Sequence, residues 1–312
     1  MINNNDKHLE KDIPLVYVLL AAYNGMRWID EQVQSILDQK KVNIHLIISV
    51  DLSTDLTYEW CKKLATNNSR VKVLPYGERF GSAAKNFYRL IVDMSFPSPD
   101  YIALSDQDDI WLPNKIFTAI NKMNTTLSDG YSSNLTCFDL ENKKEHLLRK
   151  DHPSAKFDYL FQAGSAGCTY VISNQLFRKI QTTIGDNLHN CDQAVSHDWL
   201  IYAISRSYKY KWYYDKNSYI KYRQHDDNVQ GALLGISGHI DRLKRIRKGW
   251  YKNAIMSLHP FLLQTTDEIK ILERVKRGSL LDRVWLIVNY AKLRRNKWEA
   301  VMLALVFIFG RI

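Results

Sequence analysis

Four short apolar runs, separated by segments of helical spacing, constrain the fold of this chain more than any other feature. The run at residues 15–22 is continuous and rich in strand-forming residues, and similar runs cover 44–50, 71–74 and 101–104. Between them, apolar residues recur at helical spacing, for example along residues 27–39. Strands that alternate with helices predict an α/β fold, with a mixed, mainly parallel sheet flanked by helices.

Polar residues follow three of these runs. Tyr23 and Asn24 follow the first run, Asp51 follows the second, and the sequence SDQDDIW follows the fourth at residues 105–111. Ligands of parallel sheets bind beyond the carboxyl ends of the strands. We therefore expect these separate positions to converge on one crevice.

Hydroxyl side chains stand where the predicted helices begin. Ser53 or Thr54 is expected to cap the helix that follows the second strand. Ser82, preceded by a glycine, opens the next helix, and Ser173 is expected to cap a helix at residues 175–180.

The SDQDDIW segment brings three carboxylates, those of Asp106, Asp108 and Asp109, to the end of a buried strand. Carboxylates are rarely buried unpaired, and hard oxygen ligands suit Mg²⁺ or Mn²⁺ and, through the metal, a diphosphate. A polar turn without a ligand is the alternative interpretation. The motifs GxGxxG and GxxxxGK[ST] are absent, which argues against NAD enzymes and P-loop NTPases. The segment also lacks the glycine that an EF-hand loop requires after its acidic positions.

A second group of chemically active residues surrounds Asp198, at the predicted start of a helix. An aspartate there can act as a general base for an incoming hydroxyl, or only as a helix cap. The spacing of His189, Cys191 and His197 fits no standard zinc site, so zinc is a minor alternative. The small residues at 162–168 predict either a close backbone approach to a ligand or a tight strand start.

His225 lies in a polar loop with the sequence YRQHDDN at residues 222–228. Its imidazole can ligate a metal or donate a hydrogen bond to a phosphate, and a solvated loop histidine is the alternative. Strand-like segments precede it at residues 208–214 and 218–222, and a weaker strand signal covers 135–140.

The composition is that of a globular protein, with 46% hydrophobic and 24% charged residues. No CxxC pair is present, so we expect reduced thiols at the four cysteines, Cys61, Cys137, Cys168 and Cys191. The polar amino-terminal segment lacks a secretory signal pattern, which predicts a cytoplasmic location.

The net charge of +10 is concentrated near the carboxyl terminus, where residues 239–312 hold 16 Lys plus Arg against 6 Asp plus Glu. The segments 242–253 and 292–298 mix cations with Trp250, Tyr251 and Trp298. This pattern predicts a basic helical extension that lies on the anionic surface of a membrane. Packing on the body or on a second subunit is the alternative, and no motif for nucleic-acid binding accompanies the charge.

Four motifs stand in order along the chain, AAYNG at 21–25, VDLSTD at 50–55, SDQDDIW at 105–111 and HDW at 197–199. With the trailing YRQHDDN they resemble the family 2 glycosyltransferases of GT-A fold, and most closely the bacterial rhamnosyltransferase-like members that build O-antigen and capsule polysaccharide.

The resemblance covers about residues 14–231. It implies a Rossmann-like nucleotide-diphospho-sugar transferase domain at residues 1–238, followed by the basic extension at 239–312. The nucleotide half would span about 14–115 and the acceptor half about 116–238.

Several residues match positions at which the family binds its donor or performs catalysis. Contacts to the nucleotide sugar are implied for Tyr23, Asn24, Asp51, Lys85, Asp106, Gln107 and His225. Ligation of a divalent Mn²⁺ or Mg²⁺ is implied for Asp106, Asp108 and His225, and the role of catalytic base for Asp198. The second motif departs from the family pattern DDGSTD, because Val50 replaces the first acid and Leu52 replaces the glycine.

The resemblance implies an inverting transfer of a sugar, rhamnose from dTDP-rhamnose in the favoured case, to a growing lipid-linked surface glycan. A UDP-hexose donor, a nucleotide-sugar-binding protein without turnover and a membrane adaptor are the alternatives. We expect a peripheral association with the inner face of the cell membrane. No nucleic-acid partner is expected, and assembly into a homo-oligomer is left open. A chain that ends near Gly238 is expected to keep transfer to a soluble acceptor.

Overall fold

The computed structural model describes residues 13–95, 98–139, 144–224 and 249–309. His225, for which metal and phosphate contacts are predicted, lies outside the described residues.

The described strands are β1 (Leu15–Ala22), β2 (Asn43–Val50), β3 (Val71–Val73), β4 (Tyr101–Ser105), β5 (Ile110–Trp111), β6 (Gly130–Asp139), β7 (Lys144–Leu148), β8 (Val171–Ser173) and β9 (Trp212–Gln224). The described helices are α1 (Ile29–Leu37), α2 (Thr57–Asn67), α3 (Ala83–Val92), α4 (Lys115–Thr126), α5 (Asn174–Asp186), α6 (His197–Ser207), α7 (Trp250–Ser257), α8 (Thr266–Arg277), α9 (Leu280–Val288) and α10 (Lys297–Phe309).

The strands form one mixed sheet in the order β3-β2-β1-β4-β8-β6-β9-β5, with β7 paired to the outer part of β6. The four strands β3, β2, β1 and β4 are mutually parallel, whereas β8 is antiparallel to both β4 and β6. Ala22 is in register with Val50, and Leu20 with Ser105. The ends of β1, β2 and β4 therefore lie side by side, and the predicted mixed sheet flanked by helices is confirmed.

Both faces of the sheet are covered, which explains why β1 is apolar without interruption. Val16 and Val18 pack into the cluster beneath α1 and α4 on one face. Tyr17 and Leu19 pack into the cluster beneath α3, α5 and α6 on the other face. Alternate residues of one strand thus build two separate layers of core.

The predicted cap at Ser173 is confirmed, and Ser82, where a helix is predicted to open, also caps its helix. The hydroxyl of Ser82 accepts a hydrogen bond from the amide of Lys85, and the hydroxyl of Ser173 accepts one from the amide of Leu176. The prediction that Ser53 or Thr54 caps α2 is wrong, since that helix begins at Thr57 without a side-chain cap. Both residues bind the loop after β1 instead.

A single long strand, β9, covers most of the region where two strands are predicted. The register between β6 and β9 shifts near Asn134, where an irregularity absorbs the extra residues of β9. The first predicted strand begins too early, because Tyr208 ends α6 instead of starting a strand.

The carboxy-terminal helices pack on the sheet domain. Tyr251, Ile255, Phe261 and Phe307 are almost completely buried and belong to the same apolar cluster as α3 and α6. Tyr251 therefore faces the body and not the outside. Among the residues that the structure describes, none of the helices is long and apolar enough to cross a membrane.

Candidate active site

The loops after β1 and β4 are joined through the side chain of Gln107. Its Oε1 accepts a hydrogen bond from the amide of Tyr23 at 2.8 Å, and its Nε2 donates to the carbonyl oxygen of Tyr23, also at 2.8 Å. Gly25 makes room for this pairing, because an added Cβ would lie 2.3 Å from Oε1 of Gln107. The Gln107 amide group thus fixes the loop that ends β1, while the ring of Tyr23 stays 48% exposed.

Asn24 joins the same loop to the loop after β2. It has a positive φ of 46°, its amide donates to Oγ of Ser53 at 3.1 Å, and its Oδ1 accepts from the amide of Thr54 at 2.8 Å. Asparagine tolerates this left-handed conformation better than most residues. These bonds explain why Ser53 and Thr54 are not helix caps.

Asp51 holds a third loop, the one before α3. It is 4% exposed, and its carboxylate accepts hydrogen bonds from the amides of Phe80 and Gly81, each at 2.8 Å. A third bond comes from the amide of Leu52 at 2.7 Å. Burial of this carboxylate is therefore compensated by backbone donors.

Carboxylates from two distant segments interact electrostatically beyond β4. Burial and then the neighbouring carboxylates of Asp108 and Asp198 raise the pKa of Asp106 to about 7. The contribution of Asp198 requires that its carboxylate lies near the SDQDDIW segment, although the two are separated by 92 residues of sequence. Asp198 stands at the start of α6 and not at a strand end, so the rule for strand ends does not by itself predict its place here.

Two ionisable side chains next to these acids, those of Asp109 and Lys115, are buried. Asp109 is 1% exposed, and burial, with Asp108 and Asp106 close by, raises the pKa of its carboxyl well above the usual range. Lys115 is equally buried, its Nζ lies 3.5 Å from the ring centroid of Trp111, and burial lowers the pKa of its ammonium to about 7.

Within the described residues, the set of side chains compact enough to hold a metal ion is Asp106, Asp109 and Cys168, whose ligand atoms lie within 4.8 Å of one another. Oδ2 of Asp109 is buried and has no hydrogen-bond partner within the described residues. Burial is the main cause of the raised pKa of Asp106, and the negative charges of Asp108 and Asp198 that add to it are what a divalent cation would neutralise. The oxygen donors of this region therefore fit Mg²⁺ or Mn²⁺.

Asp198 is the second residue of α6 and is partly buried. Its Oδ1 accepts from the amide of Trp199 at 2.8 Å, so it contributes to the first turn of the helix without being the capping residue. The neighbouring His197 stacks on Phe87 at 3.9 Å, and burial lowers the pKa of its imidazole to about 4. A Cβ added to Gly167 would lie 2.3 Å from Nε2 of His197, so the small-residue segment serves close packing against α6.

Helix α3 reaches across to the segment before α6. Nζ of Lys85 forms an ion pair with Asp192 at 2.7 Å, and the hydroxyl of Tyr88 donates to the carbonyl oxygen of Val195 at 2.5 Å. Lys85 therefore connects α3 to the segment before α6, with its side chain 41% exposed.

Arg223, near the end of β9, supports the loop at residues 106–109, here called the acid loop, a role that the sequence motifs do not predict. Its side chain is 3% exposed, and its Nε donates to the carbonyl oxygen of Asp108 at 2.8 Å. Its Nη2 pairs with Glu31 at 2.5 Å, and its guanidinium stacks on Trp28 at 4.1 Å. In the sequence, the only indication of this role is that Arg223 stands two residues before the predicted site residue His225.

The chain matches glycosyl transferase family 2 over residues 17–192. It is 36% identical over 292 residues to the dTDP-rhamnosyl transferase RfbG of Shigella flexneri, which covers 93% of this chain and 99% of that protein.

A shorter similarity, 33% identity over 110 residues, links it to WfgD of Escherichia coli, a UDP-Glc:α-D-GlcNAc-diphosphoundecaprenol β-1,3-glucosyltransferase. That match covers 35% of this chain and 41% of WfgD.

The fold is similar to that of residues 1–349 of TarS from S. aureus in complex with UDP, with a TM-score of 0.55 at 14% identity. The match covers 94% of this chain and 79% of that one, which confirms the expected GT-A fold. Acids follow the strand ends, as described above, and the family match covers more than half of the chain. This chain therefore belongs to glycosyl transferase family 2.

Proposed function

We propose that this glycosyltransferase moves rhamnose from dTDP-rhamnose to a hydroxyl of a lipid-linked bacterial surface glycan, with inversion of the anomeric centre. The observation that carries the chemistry is the electrostatic interaction of Asp198 with Asp106, which adds to burial and to Asp108 in raising the pKa of Asp106. Similarity over nearly the full length to a dTDP-rhamnosyl transferase supports the donor. Similarity to WfgD supports an acceptor on a lipid diphosphate and keeps a UDP-hexose as the alternative donor.

The nucleotide would bind between the loops after β1 and β2. The exposed ring of Tyr23 is available for stacking on the base, and Asn24 holds the two loops together. Asp51 already accepts backbone bonds from Phe80 and Gly81, yet a carboxylate has further lone pairs for an N–H of the base. The Lys85 ammonium would favour the negative charge of the diphosphate.

The family resemblance assigns the Mn²⁺ or Mg²⁺ ion to Asp106 and Asp108, with His225 expected to assist them. In the compact set of the described residues the acid beside Asp106 is Asp109 instead, so Asp108 would have to turn towards the ion. When bound, the ion would act as a Lewis acid that stabilises negative charge on the diphosphate.

The transfer itself needs one base. The Asp198 carboxylate would take the proton of the acceptor hydroxyl as that oxygen forms its bond to the anomeric carbon. The bond from the anomeric carbon to the diphosphate oxygen breaks at the same time, and dTDP leaves with the electron pair. A single displacement of this kind inverts the anomeric centre, as in inverting glycosidases.

The test measures release of dTDP from dTDP-rhamnose with Mn²⁺, where water serves as the acceptor and no glycan is required. Asp198→Asn is expected to lower kcat at least about 100-fold while the affinity for dTDP is retained. Asp186→Asn, which changes an exposed carboxylate at the end of α5, is the control. Normal turnover by Asp198→Asn would remove Asp198 from the role of base.

Asp108→Ala tests the metal. We expect this variant to bind dTDP equally well with and without Mn²⁺, because the added affinity from the ion is lost. An affinity that still rises on addition of Mn²⁺ would exclude Asp108 as a ligand.

We further propose that α9 and α10 dock the enzyme on the anionic inner leaflet. Both helices leave apolar side chains uncovered at helical spacing, and Leu281, Val288 and Trp298 are between 73% and 79% exposed. The other exposed members of this surface are Leu280, Val284, Val301, Met302, Leu305 and Ile308. Exposed apolar side chains within a segment rich in cations match the chemistry of an anionic bilayer.

Flotation with phosphatidylglycerol vesicles tests this surface. Leu281→Glu combined with Val288→Glu is expected to abolish co-flotation, whereas Leu147→Glu, at a 51% exposed leucine of β7, is expected to have no effect. If the double variant floats normally, or if it instead converts a dimer to a monomer in sedimentation, the membrane is not the partner of this surface.

A further inference from the structure

The segment between α9 and α10 reaches into the protein instead of facing outwards. The Arg295 side chain is 4% exposed, and it donates hydrogen bonds to the carbonyl oxygens of Lys150 at 3.1 Å and Ala163 at 3.2 Å. It also donates to the carbonyl oxygen of Gly164. A planar guanidinium with five donors can hold several carbonyls at once, which a lysine cannot do.

The loop that Arg295 holds is connected to Asp198 through one hydroxyl group. The amides of Gly164 and Ser165 donate to the hydroxyl oxygen of Tyr170 at 2.9 and 3.1 Å. That hydroxyl lies 3.1 Å from the carbonyl oxygen of Ser165 and 3.3 Å from that of Asp198, so its proton is donated to this pair of oxygens. Tyr170 is completely buried, so water does not compete for these bonds.

A second connection runs from Arg295 to α6 through Asp158. Nε of Arg295 lies 3.5 Å from the Asp158 carboxylate, which accepts a hydrogen bond from the Tyr202 hydroxyl at 2.7 Å. Tyr202 stands one helical turn after Asp198 in α6. Because Asp158 is completely buried, its charge must be compensated, and Arg206 at 3.4 Å assists Arg295.

We propose that Arg295 and Tyr170 are positioning residues for Asp198, so that the carboxy-terminal segment sets the geometry of the catalytic base. This inference rests on the proposed role of Asp198 and adds the residues that hold it. The hydroxyl of Tyr170 fixes the backbone of Asp198, and Arg295 fixes both the loop around that hydroxyl and the first turns of α6. Neither side chain needs to touch the donor or the acceptor.

Removal of either connection should affect turnover more than binding. A displacement of a catalytic group by about 1 Å can cost about 100-fold in rate. We expect Tyr170→Phe to lower kcat about tenfold and Arg295→Lys to lower it between about tenfold and 100-fold. The KM for dTDP-rhamnose and the affinity for dTDP should change less than about twofold, because neither residue contacts the loops after β1 and β2 that are proposed to bind the nucleotide.

The experiment measures kcat and KM for dTDP release with Mn²⁺, dTDP affinity by calorimetry, and the Tm of each full-length variant. Tyr131→Phe is the matched control for Tyr170→Phe, since Tyr131 is also buried and donates its hydroxyl hydrogen bond to Asp215 at 3.1 Å. Arg274→Lys is the control for Arg295→Lys, because Arg274 pairs with Asp282 within the same carboxy-terminal region.

A loss of kcat in Tyr170→Phe but not in Tyr131→Phe, at unchanged dTDP affinity, supports the proposal. Wild-type kcat in Tyr170→Phe overturns it, as does a loss that appears equally in both controls. Arg295→Lys carries a risk of misfolding, but Tyr170→Phe keeps the test decisive by itself. Activity in Asp198→Asn would refute the base instead, so the two failures are distinguishable.

Discussion

Gly25 illustrates how a single small residue keeps two loops of the site in contact. The Gln107 amide group is bonded at both ends to the backbone of Tyr23, so it has no freedom to move away from a new side chain. The sequence AAYNG marks a turn here. That the glycine serves contact with Gln107, 82 residues later, is visible only after folding.

Gly25→Ala is expected to displace Gln107 and break both bonds, with a loss of about 1–3 kcal/mol in the free energy of unfolding. The affinity for dTDP should fall several-fold, because Tyr23 lies on the displaced loop. Urea unfolding and dTDP titration measure the two effects. Gly185→Ala is the control, since nothing lies within 4 Å of its added Cβ in α5, and equal stability of both variants would contradict the prediction.

His197 predicts a pH dependence of stability. Burial lowers the pKa of its imidazole to about 4 in the folded protein, compared with about 6.5 in the unfolded chain. The stability that the neutral, buried His197 gives the folded protein is therefore fully present above about pH 6.5. It is lost as the pH falls towards 4, because in this range only the unfolded state takes up the proton.

Urea unfolding at pH 7.5 and pH 5 measures this contribution. On moving between the two, the wild type should lose about 2 kcal/mol more unfolding free energy than His197→Gln, which cannot titrate. Equal losses in the two proteins would mean that His197 is protonated as easily when folded as when unfolded.

The end of β9 shows how one secondary-structure element supports the chemistry on another. Arg223 extends from β9 to the backbone of Asp108, and its amide donates to Oδ1 of Asp109 at 3.4 Å. The guanidinium is clamped between Glu31 and the ring of Trp28 in the region of α1. Three elements thus hold the acid loop in place.

Arg223→Lys is expected to weaken dTDP binding about tenfold in the presence of Mn²⁺, since a lysine cannot keep both the carbonyl and the Glu31 contacts. Binding without Mn²⁺ should change little. Arg149→Lys, at a side chain 66% exposed, is the control. Unchanged affinity with Mn²⁺ would show that the acid loop does not depend on Arg223.

The molecule as a whole has a core that its carboxy-terminal helices complete. Buried residues of α7, α8 and α10 belong to the same apolar cluster as α3 and α6. Removal of these helices exposes large side chains that each contribute about 1.5–3 kcal/mol on burial. The expectation that a chain ending near Gly238 keeps its activity is therefore replaced by an expectation of lost stability.

Two shortened chains test this dependence. A chain that ends at residue 296 loses the buried residues Leu303, Val306 and Phe307 of α10, whereas a chain that ends at residue 248 loses the entire set. We expect Tm to fall in both, by more than about 10 °C in the shorter chain, together with aggregation. A chain of residues 1–248 that melts like the full-length protein would contradict the shared core.

Local sequence was sufficient for the strands β1 to β4, for the helix starts at Ser82 and Ser173 and for the contact between the loops at the strand ends. Periodicity identifies which faces are buried, and a parallel sheet brings its carboxyl ends to one edge whatever the loops contain. These features depend on neighbours within a few residues or on a general rule of topology.

Long-range packing set the remaining features. Arg294 and Arg295 appear in the sequence as part of a basic surface segment, yet the first donates to the Tyr251 hydroxyl and the second to loop carbonyls beside α6. The sequence cannot show whether water or a buried group receives the hydrogen bonds of such a cation, because these two acceptors lie more than 40 residues away along the chain. Distant partners likewise decided the contacts of Ser53, Gln107 and Arg223.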